Sequence, residues 1–191
     1  MKRFALVAYA VILPVLAAQT SAPQHTQSNP ELKIMFQEDQ RIRSGSPLSP
    51  EERARIVRTD GDRLAAVKQI ILANQIQTAE DYRNASVILQ HGSKSEDYLL
   101  AHTLAVIGSS KGDKVCTWLS AATMDRYLQS IGQPQIYGTQ SKFSAEKQMT
   151  QEPYTTDMVT DALRKELGVP PLADQKKRVE DYQQQTGKKA Q

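Results

Sequence analysis

Cysteine is almost missing from this chain. Cys116 is the single one in 191 residues, so no intramolecular disulfide and no multi-thiolate metal cluster can form. Stability must come from a buried core instead. Histidine is scarce as well. His25, His91 and His102 are the only three, and no H-x-x-x-H or H-E-x-x-H spacing joins them, which argues against a metal centre. Aromatic residues make up 6% of the chain, and they do not alternate with a basic stripe, so nucleic-acid binding is not expected. There is no nucleophile elbow, P-loop, dinucleotide fingerprint or calcium loop. The acidic residues are scattered, so no pair of catalytic carboxylates can be named. Excess charge of one sign is also lacking. The formal net charge is +3, and without Lys2 and Arg3 the 24 basic residues fall to 22 against 21 acidic ones.

The one strongly apolar run is N-terminal. Lys2 and Arg3 precede an apolar stretch over residues 4–16, and the small residues Ala17 and Ala18 come next. This order of parts is expected of a signal peptide over residues 1–18, and the run is short for a spanning helix. The chain is therefore expected to be periplasmic or secreted. The alternative is an inner-membrane protein held by an uncleaved N-terminal anchor. Residues 19–30 are rich in Gln, Ser, Thr and Pro and are expected to form a disordered leader.

From residue 31 onward the chain reads as helices. Residues 31–43 place Leu32, Met35, Phe36 and Asp39 on one side, with Asp39 and Arg43 four apart and able to pair. Ser49 and Pro50 open a second helix that reaches Arg58 or beyond. A third is expected from Asp60 or Asp62, carrying Leu64, Val67 and Ile71. Thr78 with Asp81 caps a fourth over residues 79–90, which stops at His91 and a left-handed Gly92. Ser93 with Glu96 is read as a capping box for a fifth helix ending at Gly108. Asp113 opens a sixth, ending at Gly132. The short connections imply antiparallel hairpins, and Ala101, Ala105, Ala121 and Ala122 permit close approach. A last short helix is expected from Thr156 or Asp157 to Leu167, succeeded by a charged helix or tail over residues 173–191. The expected fold is all-α, an irregular antiparallel multi-helix bundle with helix hairpins, forming one domain over residues 31–172. No second copy of any hairpin recurs at a fixed period, so a repeat array is excluded.

The chemically useful side chains concentrate at a few places. His91 sits at a helix end and His102 within a helix. Asp125 and Arg126 are adjacent, so on a helix they point about 100° apart and do not pair well with each other. Asp125 faces close-packed surface and, if buried, needs a cation such as Arg126 or Arg43, or several donors. The stretch QPQIYGTQ (residues 133–140) supplies Gln135, Tyr137, Thr139 and Gln140. Gly138 is suited to a positive φ or to close approach by another backbone. Cys116, between Val115 and Trp118 in a helical pattern, is expected to be a small buried residue.

These elements together resemble an uncharacterised bacterial domain family of unknown function. The family pattern has an early D-Q-x-x-R, a central Q-H, and a D-R followed by G-x-P-Q-x-Y-G-T-Q. The matches here are Asp39, Gln40 and Arg43; Gln90 and His91; Asp125 and Arg126; and Gly132, Pro134, Gln135, Tyr137, Gly138, Thr139 and Gln140. A further segment matches at Asp161, Arg164, Gly168, Pro171 and Leu172. The resemblance covers residues 31–172. Many relatives continue Q-H with an acidic residue, whereas this chain has Gly92 and Ser93. The resemblance implies one pocket in which Asp39, Arg43, His91, Asp125 and Arg126 meet the G-T-Q loop. It assigns no reaction and no cofactor.

Two functions are expected on these grounds. One is a binding or interaction module with a polar pocket for a peptide, a cell-wall fragment or another protein. The other is a hydrolase-like or transferase-like enzyme, with His91 or Asp125 as base and Arg43 or Arg126 holding an anion.

Overall fold

In a computed structural model, the described residues are 27–44, 49–144 and 148–189, with side chains described through residue 186. The signal peptide expected over residues 1–18 lies outside them. Seven helices and one two-stranded ribbon are present among the described residues, an all-α multi-helix fold. None of these helices is long and apolar enough to cross a membrane.

α1 (Pro30–Arg43) begins earlier than the disordered leader would allow. Asn29 caps it by accepting from the Leu32 N–H at 3.0 Å. The Asn29 N–H donates to Asp81 Oδ1 at 2.7 Å, and Ser28 Oγ donates to Glu80 at 2.6 Å. Residues 28–30 are thus pinned to a neighbouring helix, because a capping amide and a buried carboxylate meet there.

α2 (Pro50–Leu72) is one helix, where two were expected. Its start carries the full Ser49–Glu52 capping box with Pro50 in the first turn. Gly61 does not break it. Glycine weakens a helix interior by about 0.5–1 kcal/mol, and the flanking Asp60 and Arg63 offset this by locking together at 2.6 Å. α2 also buries Val67 and Ile70 against α1 and the next helix.

α3 (Ala79–Leu89) has the expected Thr78–Asp81 capping box. Its contacts with α1 keep one offset: Ser28 meets Glu80, Asn29 meets Asp81, and Asp39 meets His91. The two helices therefore run parallel, with α2 as the return limb between them. α4 (Ser95–Ser110) and α5 (Lys114–Ser130) complete two antiparallel hairpins. Ser86 Oγ reaches the Ala101 carbonyl across α3 and α4, and His102 reaches the Ser120 carbonyl across α4 and α5. Ala101, Ala105, Ala121 and Ala122 are fully or almost fully buried. The core combines Leu32, Val67, Ile88, Leu89 and Leu104 with a smaller cluster of Val87, Ala105 and Leu119. Burying each large aliphatic side chain contributes about 1.5–3 kcal/mol.

Two local expectations at the α3–α4 turn are corrected. The positive-φ glycines are Gly112, Gly132, Gly138 and Gly168, so Gly92 is not a left-handed cap. Gly92 is small for a different reason, since a Cβ there would stand 2.6 Å from the Cβ of Asp97. The Ser93–Glu96 capping box is also absent. Lys94 is the N-cap and offers no side-chain hydrogen bond. Tyr98 instead holds the turn, donating its hydroxyl to the Gly92 carbonyl at 2.7 Å.

After α5, residues 133–140 form a loop, which leads into a ribbon of β1 (Lys142–Phe143) and β2 (Met149–Thr150). α6 (Asp161–Glu166) is capped by Thr160, later than expected. Buried Arg164 explains the delay. Its guanidinium donates to the carbonyls of Val159 and Thr156 and to the Tyr154 hydroxyl, holding residues 154–159 out of a helix. α7 (Leu172–Lys189) is more than a solvated tail. Its Gln175 is 1% exposed and reaches back into the loop.

Candidate functional site

Most of the polar side chains singled out from sequence fall into two clusters. Among the described residues, no hydrogen bond or ion pair links them. Adjacent residues of α5, Asp125 and Arg126, face one each.

The first cluster closes the loop. Asp125 is fully buried. Its Oδ1 accepts from the backbone N–H of Ile136 at 2.8 Å and of Tyr137 at 3.0 Å, and its Oδ2 accepts from the Thr139 N–H at 2.9 Å and hydroxyl at 2.8 Å. Among the described residues, no cation pairs with it. Of the two alternatives open from sequence, a cation or several donors, the structure has the donors, because a curled loop can aim successive N–H groups at one carboxylate. Gln135, also fully buried, donates to the carbonyls of Gln140 and Gln151, and its oxygen accepts from the Gln140 N–H. Gln140 donates to the Ala122 carbonyl at 3.2 Å, tying the loop to α5. The Tyr137 carbonyl accepts from Gln175 and from the Tyr154 hydroxyl, each at 3.0 Å. Gly138 has φ +78°, and a Cβ there would lie 2.7 Å from the Tyr154 ring. Burial and the nearby Asp125 charge push the Tyr137 phenol above its ordinary range. Burial does the same at Tyr154, against the pull of Arg164.

The second cluster lies where α1, α2 and the α3–α4 turn converge. Asp39 is fully buried on α1. Arg43 donates to Asp39 Oδ1 at 2.6 Å and to Asp60 Oδ2 at 2.7 Å, while Arg63 donates to Asp60 Oδ1 at 2.6 Å. Gln40 donates to Asp39 Oδ2 at 2.8 Å. His91 Nδ1 stands 3.1 Å from Asp39 Oδ1. Burial pushes the Asp39 carboxyl up, but the hydrogen bond and charge of His91, then Arg43 and Gln40, outweigh it and hold it below its ordinary value. Asp39 is therefore an ionised acceptor, so His91 Nδ1 carries a proton toward it, which leaves Nε2 an acceptor when the ring is neutral and a donor when it is protonated. His91 is 18% exposed, and its Nε2 has no protein partner among the described residues. The carboxylate beside His91 thus comes from α1 and not from the residues next to it in sequence.

Arg126 faces this second side. It makes no ion pair or hydrogen bond among the described residues, and its buried Nε has no partner there. Burial lowers the affinity of its guanidinium for the proton, and the nearby Arg43 charge lowers it further. Tyr98 on α4 stands close enough to Arg126 to act on its charge.

The remaining sequence candidates are placed differently. His102 donates from Nδ1 to the Ser120 carbonyl, 2.9 Å away, and bridges two helices. Gln90 caps α3 through its backbone N–H. Cys116 is buried, as expected, and burial beside Asp113 pushes its thiol up to about 12. Three surface clefts are lined by residues 27–30 with Gln75, Gln77 and Asp81, by α7, and by β2 with α7. None of the three includes His91, Asp125 or Tyr137. Among the described residues, no group of three or more His, Cys, Asp or Glu is arranged to hold a metal ion.

Sequence reading missed Asp60, Arg63, Gln151 and Gln175. Asp60 and Arg63 carried a signal, an i,i+3 pair opposite the i,i+4 pair of Asp39 and Arg43. Gln151 and Gln175 carried none, because glutamines in polar stretches look alike until the loop folds against them. Scans against protein-family models, curated proteins and solved structures find no match to this chain.

Proposed function

We propose that this chain is an exported helical binding module whose recognition site is the end of the bundle around Asp39, Arg43, His91 and Arg126. A peptide, a cell-wall fragment or another protein is the partner class. The observation that carries this reading is the unfilled valence at that end. Among the described residues, His91 Nε2 and the Arg126 guanidinium have no protein partners, while the carboxylates around them are already engaged. The Asp125 cluster supports the reading from the other direction. Its donors and acceptors are consumed internally, so the G-T-Q loop serves as a structural brace for α5.

The test is backbone amide NMR of the full-length protein against a set of short peptides and soluble cell-wall fragments. Ligand-induced shifts centred on His91, Gly92, Tyr98 and Arg126 are expected. Shifts centred on residues 135–140 instead would reject this placement.

One observation favours a second reading, the enzyme. Asp39 fixes the His91 tautomer so that Nε2 presents a lone pair outward, as a general base requires. Asp125 has no part in that version. Recovery of every bound fragment chemically unchanged after long incubation would count against it.

A further inference from the structure

The proposed site has an imbalance of charge that points to a class of ligand. Three of the surrounding cations are paired: Arg43 with Asp39 and Asp60, Arg63 with Asp60, and Lys68 with Asp97. Those three carboxylates are thereby used. Two cations there have no partner among the described residues: Lys94, which is exposed in the α3–α4 turn, and Arg126, which is largely covered and has a buried Nε that reaches no acceptor. Tyr98 beside it is a phenol whose hydroxyl already donates to the Gly92 carbonyl. A guanidinium in that position offers a planar fork suited to two oxygens of one group.

We infer that Arg126 anchors an oxyanion subsite, seating the carboxylate or phosphate of the ligand, with His91 Nε2 accepting a hydrogen bond from an adjacent N–H or O–H of the same molecule. This rests on the placement of the binding site at the His91 end. Paired Arg43 supports the subsite through its charge without being its anchor. Arg126 stays unpaired in the free protein because Asp125, the nearest carboxylate in sequence, is turned away to the loop.

The experiment titrates full-length protein with three probes, monitored by amide NMR: dialanine with a free carboxylate, dialanine as its C-terminal amide, and inorganic phosphate. The free acid or phosphate is expected to shift Gly92, Tyr98 and Arg126, and the amide is not. A response to the acid alone assigns a carboxylate, and a response to phosphate alone assigns a phosphate. Arg126→Gln is expected to weaken the active probe by about tenfold or more, the loss typical of a charge-assisted hydrogen-bonded pair. Arg126→Lys keeps the charge but loses the fork. It is expected to bind more weakly than wild type, and it carries the comparison should the glutamine variant not fold. Equal binding by wild type and both variants overturns the inference, as does no response to either anion. Equal shifts of Gly92 and Tyr98 by the acid and the amide leave the binding site standing and remove the oxyanion subsite. Shifts confined to residues 135–140 remove both.

Discussion

Asp125 and Arg126 are neighbours in sequence and opposites in circumstance. Asp125 is buried with four hydrogen bonds, all of them from one short loop. Arg126 is largely covered and has no protein partner among the described residues. A buried polar group without a partner costs about 1–3 kcal/mol, while one that is fully satisfied helps to specify its surroundings. The difference separates a group kept for the fold from one whose local cost the fold does not explain. The same contrast extends outward. Gln135, Gln140, Gln151 and Gln175 close around the loop, whereas His91 turns an unused ring nitrogen toward solvent.

The largest expected effect belongs to Asp125. Asp125→Ala leaves three loop N–H groups without their acceptor and should cost about 2–4 kcal/mol, read as a fall in the urea midpoint. A loss under about 0.5 kcal/mol would break the contrast at its stronger end.

Gly138→Ala should come next, at about 1–3 kcal/mol. A left-handed φ is strained for alanine, and its Cβ would press on the Tyr154 ring. The loss should appear as a lower melting temperature, with amide shifts confined to the loop and the start of α7. Shifts spreading to His91 would mean that the two clusters are coupled.

These two residues show how much was legible in sequence. Capping residues at Ser49, Thr78 and Asp113 set three helix starts correctly, because a cap needs only near neighbours. The apolar spacing in residues 79–128 likewise marked the hairpins. Asp39 with Arg43 was readable as an i,i+4 pair. The partners of Asp125 were not. A carboxylate needing donors can be met by an arginine or by a curled backbone, and only the folded loop decides between them. The continuity of α2 was hidden by Gly61, whose helix penalty is visible in sequence, while the Asp60–Arg43 bridge that adds to the Asp60–Arg63 pair in offsetting it is not.

Asp39 gives a smaller, pH-dependent effect. Its folded carboxyl is held below its ordinary value of 3.8, so the folded state binds that proton less readily than the unfolded chain. Its contribution is fully present above the ordinary carboxylate range and is lost as pH falls through the folded value. The stability gap between wild type and Asp39→Asn should therefore be constant near neutrality and shrink below about pH 4. A gap that stays constant from about pH 7 to about pH 2 in urea titrations would show that Asp39 gains nothing from His91 and Arg43.

Arg126→Gln should change stability least, within about 0.5 kcal/mol, since no hydrogen bond or ion pair among the described residues is lost and the relief of a desolvated charge is offset by the packing of the shortened side chain. Thermal melts at matched salt will show this directly.

The central claim is that Asp125 serves the fold while Arg126 serves a ligand. The most direct test measures both properties in both variants, Asp125→Asn and Arg126→Gln, by urea unfolding and by amide NMR titration with inorganic phosphate and free-acid dialanine. The predicted result is a double dissociation. Asp125→Asn is clearly destabilised yet binds as wild type while folded, and Arg126→Gln is as stable as wild type yet binds about tenfold more weakly. Loss of stability in Arg126→Gln with binding unchanged would contradict it.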